Sequence, residues 1–411
     1  MIEAARAGHW VTTWAASAQG AYPLGSAIAQ PDLSAALPDP AEGLCNQSLR
    51  MILRPALWSP RVRVRISNAF GRRSLRLRGL SLALHWGGGA RVPGTAVALP
   101  DQTIAAGLSR WTPAAELTWM DIRDVDRLRG QHLVLSAWVD GASGPVTWHA
   151  KSMGTSYLGA PGDRDAAASD GEDGFVHTTT STFLVDALDA WLPSRCGALV
   201  ALGDSLTDGT ATTLNGHDRW ADALQRRLWA AGRSDLAIVN AGIGGNQIAG
   251  PPAASGPWRG GPSALERLQS DVLELSGVRA VFWLQGINDF SDNGHCEADA
   301  AAAAVHSGVA RLRERGFLVI GATVPSALNA TRAGHGSALQ DARRRAFNAR
   351  VRSGELFDRY ADIDAALTDP VTGRLRQGFN GDSTLGEPGD GVHPNRAGHA
   401  AIAQCVFACL A

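Results

Sequence analysis

Ser205 stands where a buried strand should end. Val200-Ala201-Leu202 is an apolar run that Gly203-Asp204-Ser205 interrupts, so the spacing predicts a hydroxyl at the carboxyl end of a strand. Reactive side chains of α/β proteins are presented there. A serine hydroxyl is a poor nucleophile until a base takes its proton. His393 is the candidate base, and Asp390, three residues earlier, can reach its other ring nitrogen. That contact fixes the tautomer and stabilises the imidazolium. A tetrahedral intermediate also needs donors aimed at its oxyanion. The backbone N–H groups of Ser205 and Gly245 and the side-chain amide of Asn288 are the candidates. Glycine suits the second position because no Cβ blocks the approach of the backbone. Asp208 and Asn246 adjoin these groups, with substrate contact and turn stabilisation as equally weighted roles.

The elements that position these residues are legible in the second half of the chain. Strands are predicted at Leu199–Leu202, Leu236–Asn240, Ala280–Leu284 and Leu318–Thr323, with a weaker one near Leu356–Ile363. Helical stretches fall between them at Arg219–Ala231, Ser263–Leu275, Glu297–Arg315 and Ser337–Arg352, and a last helix runs from Arg396 to Leu410 with Asn395 as its N-cap. Alternating β and α elements imply a parallel sheet covered on both faces. Residues 1–193 read differently, as short alternating strands separated by Gly/Pro/Asp turns, the pattern of a β-sandwich or jelly roll. Arg61-Val62-Arg63-Val64-Arg65-Ile66 is a strand with one wet face, and Gly159–Gly174 is a loop. The expected organisation is a β-rich accessory domain, 1–193, and an α/β catalytic domain, 194–411. For the residues before Gln19, packing against the C-terminal domain is the alternative.

Ser205, Gly245, Asn288 and His393 occur in the order of the four block residues of the SGNH, or GDSL-type, hydrolase superfamily, with Asp390 in its Asp-x-x-His block. The second half of the chain therefore resembles that superfamily. The resemblance implies a flavodoxin-like three-layer fold, an acyl-serine mechanism without cofactor, and Gly245 rather than the adjacent Gly244 as the oxyanion glycine. The first half resembles a bacterial subgroup related to XynE-type acetylxylan esterases, through Trp10-Val-Thr-Thr-Trp14-Ala-Ala-Ser17, Ser67-Asn68-Ala69-Phe70-Gly71 and Thr147-Trp148-His149. This likeness implies acetyl or other short-acyl esters as substrates, including esters of carbohydrates. An acyltransferase to a sugar hydroxyl, a lipase or thioesterase of longer acyl preference, a metal-dependent hydrolase and a glycan-binding protein without catalysis remain as alternatives.

Composition excludes other classes. The 411 residues carry 38 basic and 39 acidic side chains and a formal charge of −1, with no basic stripe for nucleic acid or an anionic membrane. Five scattered cysteines lack metal-binding spacing, and Cys405 and Cys409 are expected to be buried apolar groups. Neither HExxH nor paired-histidine spacing supports a metal. Gly242-Ile243-Gly244 lacks the third glycine of a dinucleotide-binding turn, since Gln247 stands there. No run approaches a membrane span, and MIEAARAGHWVTTW lacks a signal-peptide pattern, which reads as cytoplasmic for the chain as given while the resemblance allows an exported protein. Oligomeric state is not encoded in any feature of the sequence. Gly381-Asp382-Ser383 is a loop flanking the site. His149 and His399 are structural, Trp220, Trp258 and Trp283 are buried rather than a sugar platform, and Arg343-Arg344-Arg345 is the solvated face of a helix.

Overall fold

Alternation of arginine with valine and isoleucine makes residues 61–66 a strand, and the computed structural model shows what its two faces do. The structure describes residues 8–251 and 258–410. The chain divides between Cys196 and Gly197 into two units. The principal strands of the first are β1 (Gly8–Ala15), β2 (Cys45–Leu53), β3 (Arg61–Ser67), β4 (Leu75–Gly87), β5 (Leu133–Ala142) and β6 (Val185–Pro193). One antiparallel sheet contains β1, β6 and β3 in that order, and a second contains β2, β5 and β4. Val62, Val64 and Ile66 of β3 and Leu49, Met51 and Leu53 of β2 are buried, so each sheet has the apolar face that a sandwich requires. Of the residues before Gln19, Gly8–Ala15 form β1, with Trp10 opposite Trp191 and Val11 opposite Ala190, and belong to this unit.

The arginine face of β3 is wet only at its Arg61 end and is covered toward Arg65, which alternation alone does not suggest. The Arg63 guanidinium lies 4.5 Å from the Trp10 ring and 4.6 Å from Trp111, and Arg61 lies 5.3 Å from Trp191. Asp189 and Asp186 take the charges of Arg63 and Arg65 at 2.9 and 2.6 Å. A planar, weakly hydrated guanidinium can be layered between aromatic rings, so arginine tolerates a covered face. Two more buried arginines organise the irregular segment 159–174. Arg50 donates to Ser136 Oγ and to the carbonyls of Gly89, Ser169 and Gly171, while Arg91 binds Asp170 at 2.7 Å and the carbonyls of Ala167 and Ala168.

The second unit is built on β7 (Gly197–Gly203), β8 (Leu236–Gly242), β9 (Val278–Leu284), β10 (Leu318–Ala322) and β11 (Arg359–Ala361). All neighbours are parallel, in the order β8-β7-β9-β10-β11. Parallel pairing requires crossovers, which contain α2 (Trp220–Ala230), α3 (Ala264–Leu268), α4 (Ala298–Glu314) and α5 (Ala338–Arg352). The result is the flavodoxin-like fold. A short α6 (Ile363–Leu367) follows β11, and α7 (Arg396–Cys409) closes the chain, its first turn capped by Asn395 Oδ1 on the N–H groups of Ala397 and Gly398.

Four local expectations are corrected. The helix expected to reach Leu275 ends at Leu268 and continues as a π-helical turn, Gln269–Leu273. Asp362 ends β11 and caps α6, so 356–363 is not one strand. Arg344 points inward between Asp341 and Asp364, because consecutive helical residues are 100° apart and cannot share one solvated face. Cys405 and Cys409 are half-buried rather than core. Among the described residues no helix is long and apolar enough to cross a membrane.

Candidate active site

Strands β7, β8 and β9 end in one row, Gly203 pairing with Gly242 on one side and with Leu284 on the other. The chain continues from this row to Ser205, Gly245 and Asn288, which are therefore delivered to the crevice where the strand order reverses. Ser205 opens the short helix α1 (Ser205–Asp208), whose N-cap Asp204 accepts the Leu206 N–H at 2.9 Å. Gly203 has no room for a side chain, since a Cβ would lie 2.3 Å from Thr207 Oγ1 and 2.4 Å from the Leu284 carbonyl.

His393 arrives from the loop before α7. Its Nε2 is 2.8 Å from Ser205 Oγ, and its Nδ1 is 2.7 Å from Asp390 Oδ2. The other carboxylate oxygen of Asp390 accepts the backbone N–H groups of Val392 and His393, both at 2.9 Å. Burial pushes the Asp390 carboxyl up, but hydrogen bonds from the His393 ring and from the two backbone N–H groups outweigh it and hold it well below the usual carboxylate range. The Asp390 carbonyl in turn accepts from the N–H groups of Thr331 and Arg332, and Asn380 Oδ1 takes the Gly391 N–H at 2.9 Å. The sequence gives no sign of these last three braces.

The two adjacent glycines are employed differently. Gly244 donates its N–H to Asp208 Oδ2 at 2.7 Å. No hydrogen bond occupies the Gly245 N–H among the described residues, and its φ of +82° is one that glycine adopts at no steric cost. The Gly245 carbonyl is held by Trp258 Nε1 at 3.3 Å, so Trp258 is a half-buried support of this turn, whereas Trp220 and Trp283 are core residues. Gly242 is a packing glycine rather than a nucleotide contact, since a Cβ there would lie 2.3 Å from the Asp208 backbone nitrogen.

Asp208 and Asn246 are 1% and 0% exposed, which favours turn stabilisation over substrate contact among the two roles weighed for them. Asn246 is the hub of a buried network. Its Nδ2 donates to the carbonyls of Gly260 and Pro262, and its Oδ1 accepts from Arg267 and Gln285. Its carbonyl accepts Asn288 Nδ2 at 3.0 Å, which orients the Asn288 amide. Arg267 also donates to the carbonyls of Gly203 and Ala241 and to Asp271, tying the ends of β7 and β8 together. Sequence reading missed Arg267; its one signal is the i, i+4 pairing with Asp271 on a helix opened by the Ser263–Glu266 capping box. His149 faces the carbonyls of Ser17 and Lys151 and braces the first unit. Gly381-Asp382-Ser383 is a loop whose Ser383 N–H binds the Ala211 carbonyl, just past α1. Among the described residues no group of three or more His, Cys, Asp or Glu side chains is disposed to hold a metal ion.

Residues 201–401 match the model of the GDSL-like Lipase/Acylhydrolase family. The second unit is a GDSL-like lipase/acylhydrolase domain. This acylhydrolase domain is an ester-hydrolysing enzyme domain. Solved structures similar to the chain include the lipase/acylhydrolase from Enterococcus faecalis, with 20% identity over 52% of this chain and 95% of that one and a TM-score of 0.39. A carbohydrate acetylesterase family member from Sinorhizobium meliloti matches at 18% identity, over 52% and 97% of the two chains, with a TM-score of 0.39. The acetyl xylan esterase AlAXEase matches at 17% identity, over 52% and 100%, with a TM-score of 0.38. No curated protein matches the chain.

Proposed function

We propose that the acylhydrolase domain cleaves short-acyl esters through an acyl-serine intermediate, with Ser205 as nucleophile, His393 as general base and Asp390 as its orienting carboxylate. The observation that carries this reading is the unbroken contact from Ser205 Oγ through the His393 ring to Asp390, at 2.8 and 2.7 Å. Ser205 Oγ attacks the carbonyl carbon as its proton passes to His393 Nε2. The N–H groups of Ser205 and Gly245 and the Asn288 amide receive the oxyanion. The protonated ring then delivers its proton to the departing alkoxide oxygen. A water molecule, deprotonated by the same nitrogen, repeats the attack on the acyl-enzyme and releases the acid. Preference for acetyl and similar groups, and for acylated carbohydrates, rests on the likeness of the first-half motifs to acetylxylan esterases.

Hydrolysis of a nitrophenyl ester series from acetate to long acyl chains, by the intact protein and by Ser205→Ala, tests this reading. Turnover that peaks at acetate or butyrate and disappears in the variant supports it. A long-chain optimum overturns the substrate assignment. Equal turnover in Ser205→Ala overturns the mechanism.

A further inference from the structure

Asn288 and Asp289 are neighbours on the loop after β9, and both reach one short segment of the loop after β8. The Asn288 amide donates to the Asn246 carbonyl at 3.0 Å, and Asp289 Oδ1 accepts the Ile248 N–H at 2.9 Å. Two consecutive side chains thus grip both ends of a three-residue stretch that follows directly on Gly245. The main chain beneath them is itself held. The Asp289 carbonyl accepts the Cys296 N–H at 2.8 Å, and the Asn288 carbonyl accepts Ser291 Oγ at 2.8 Å. The carboxyl group therefore reaches across from a fixed base. Ile248 is 0% exposed and Asp289 3%, so the contact lies out of reach of water. A buried N–H that loses its acceptor is costly, and the segment carrying it must shift or open to find another.

We propose that Asp289 is a positioning residue of the oxyanion hole, setting the separation of the Gly245 N–H and the Asn288 amide by holding Ile248. The inference rests on the reading of Gly245 and Asn288 as oxyanion donors given above. An amide group carries two N–H donors at a fixed angle. With one of them on the Asn246 carbonyl, the direction of the other follows the position of that carbonyl. Gly245 immediately precedes Asn246, so the same segment carries its N–H as well. Both donors thus depend on one register between the two loops. Gln285 and Asn288 hold the segment at Asn246, and Asp289 holds it at Ile248. Oxyanion donors work by standing ready where charge develops, so a small displacement acts on the transition state more than on the bound ester. One oxygen suffices for this task, since Asp289 Oδ2 is buried without a hydrogen-bond partner. Asparagine at this position keeps the acceptor oxygen, and alanine removes it.

Two measurements on the intact protein test the role. The first is hydrogen–deuterium exchange at the Ile248 amide, which needs no turnover. Exchange should quicken by about tenfold or more in Asp289→Ala and return toward the wild-type rate in Asp289→Asn. An Ile248 amide equally protected in all three proteins overturns the proposal. The second is steady-state kinetics on a soluble acetate ester. Asp289→Ala should lower kcat by about tenfold or more with KM little changed, and Asp289→Asn should recover most of that loss. Asn288→Ala combined with Asp289→Ala should lose less than the product of the single losses, because both act on one oxyanion. A KM effect at constant kcat, an asparagine variant as slow as the alanine one, or losses that multiply would each overturn the proposal. Asp289→Ser, too short to reach Ile248, replaces the alanine variant if that protein does not fold. Failure of the underlying reading looks different: Asn288→Ala then keeps near-normal kcat, and the proposal falls with it. A slow Asn288→Ala beside an unimpaired Asp289→Ala overturns the positioning role alone.

Discussion

The Asp208 carboxylate takes the N–H of Gly244 at 2.7 Å, while the next N–H in the chain, that of Gly245, is without a hydrogen bond among the described residues. A residue one helical turn after Ser205 thus holds the turn that carries the proposed oxyanion donor Gly245. Asp208→Ala should lower kcat by about tenfold to a hundredfold with little change in KM, because an oxyanion donor acts in the transition state and not on the bound ester. Steady-state kinetics on an acetate ester give the split. A rise in KM at constant kcat would assign Asp208 to substrate binding after all.

In the proposed mechanism Asn288 offers its amide to the oxyanion, from a position fixed by the Asn246 carbonyl at 3.0 Å. Asn288→Ala should cost on the order of a hundredfold in kcat while the thermal unfolding profile stays close to that of the wild type. Near-normal kcat in a folded variant would remove Asn288 from the oxyanion hole.

Arg267 binds Asn246, Asp271 and the carbonyls of Gly203 and Ala241 from a site only 3% exposed. Arg267→Lys keeps the charge but loses the fork that reaches these groups together, so the second unit should lose about 2–4 kcal/mol of stability. Urea unfolding followed by circular dichroism reads the loss. A midpoint unchanged from the wild type would show that an ammonium suffices there.

His399 makes the second unit sensitive to acid. Burial pushes this ring down to about 4, the charge of Asp218 and the Thr210 backbone opposing more weakly. The Trp220 N–H donates to its Nδ1 at 3.0 Å, which requires that nitrogen to be unprotonated. The ordinary histidine value of 6.5 belongs to the unfolded chain, so between 6.5 and about 4 the unfolded state takes up a proton that the folded state refuses. Stability therefore falls as pH drops through that window, by about 3 kcal/mol from this residue. His399→Gln should flatten the dependence of the unfolding free energy between about pH 7 and pH 4.5. An identical slope in the two proteins would place the acid sensitivity elsewhere.

The positions of Ser205, Gly245 and Asn288 at strand ends were legible because apolar runs and the glycines that break them are local signals, each contained within about ten residues. The same locality made the start of the last helix at Asn395 readable from its capping residue. It failed at Arg344 and along the arginines of β3. Whether a charged side chain meets water or a partner depends on which remote residue stands opposite, and Asp364 and Trp10 are not signalled near those positions.

By itself, then, the sequence determined the class of fold, the order of the block residues and the pairing of Asp390 with His393 on one turn, since each follows from periodicity or from a spacing of a few residues. Tertiary structure alone decided which of two adjacent glycines keeps its N–H unoccupied and that Asp208 and Asn246 face inward. It also decided that a buried arginine ties two strand ends. The physical reason is that hydrogen bonding and burial are assigned by contacts between distant segments. Asp208 and Gly244 lie 36 residues apart, and Ser205 and His393 lie 188 apart. Their geometry exists only once the parallel sheet has brought its strand ends into one row.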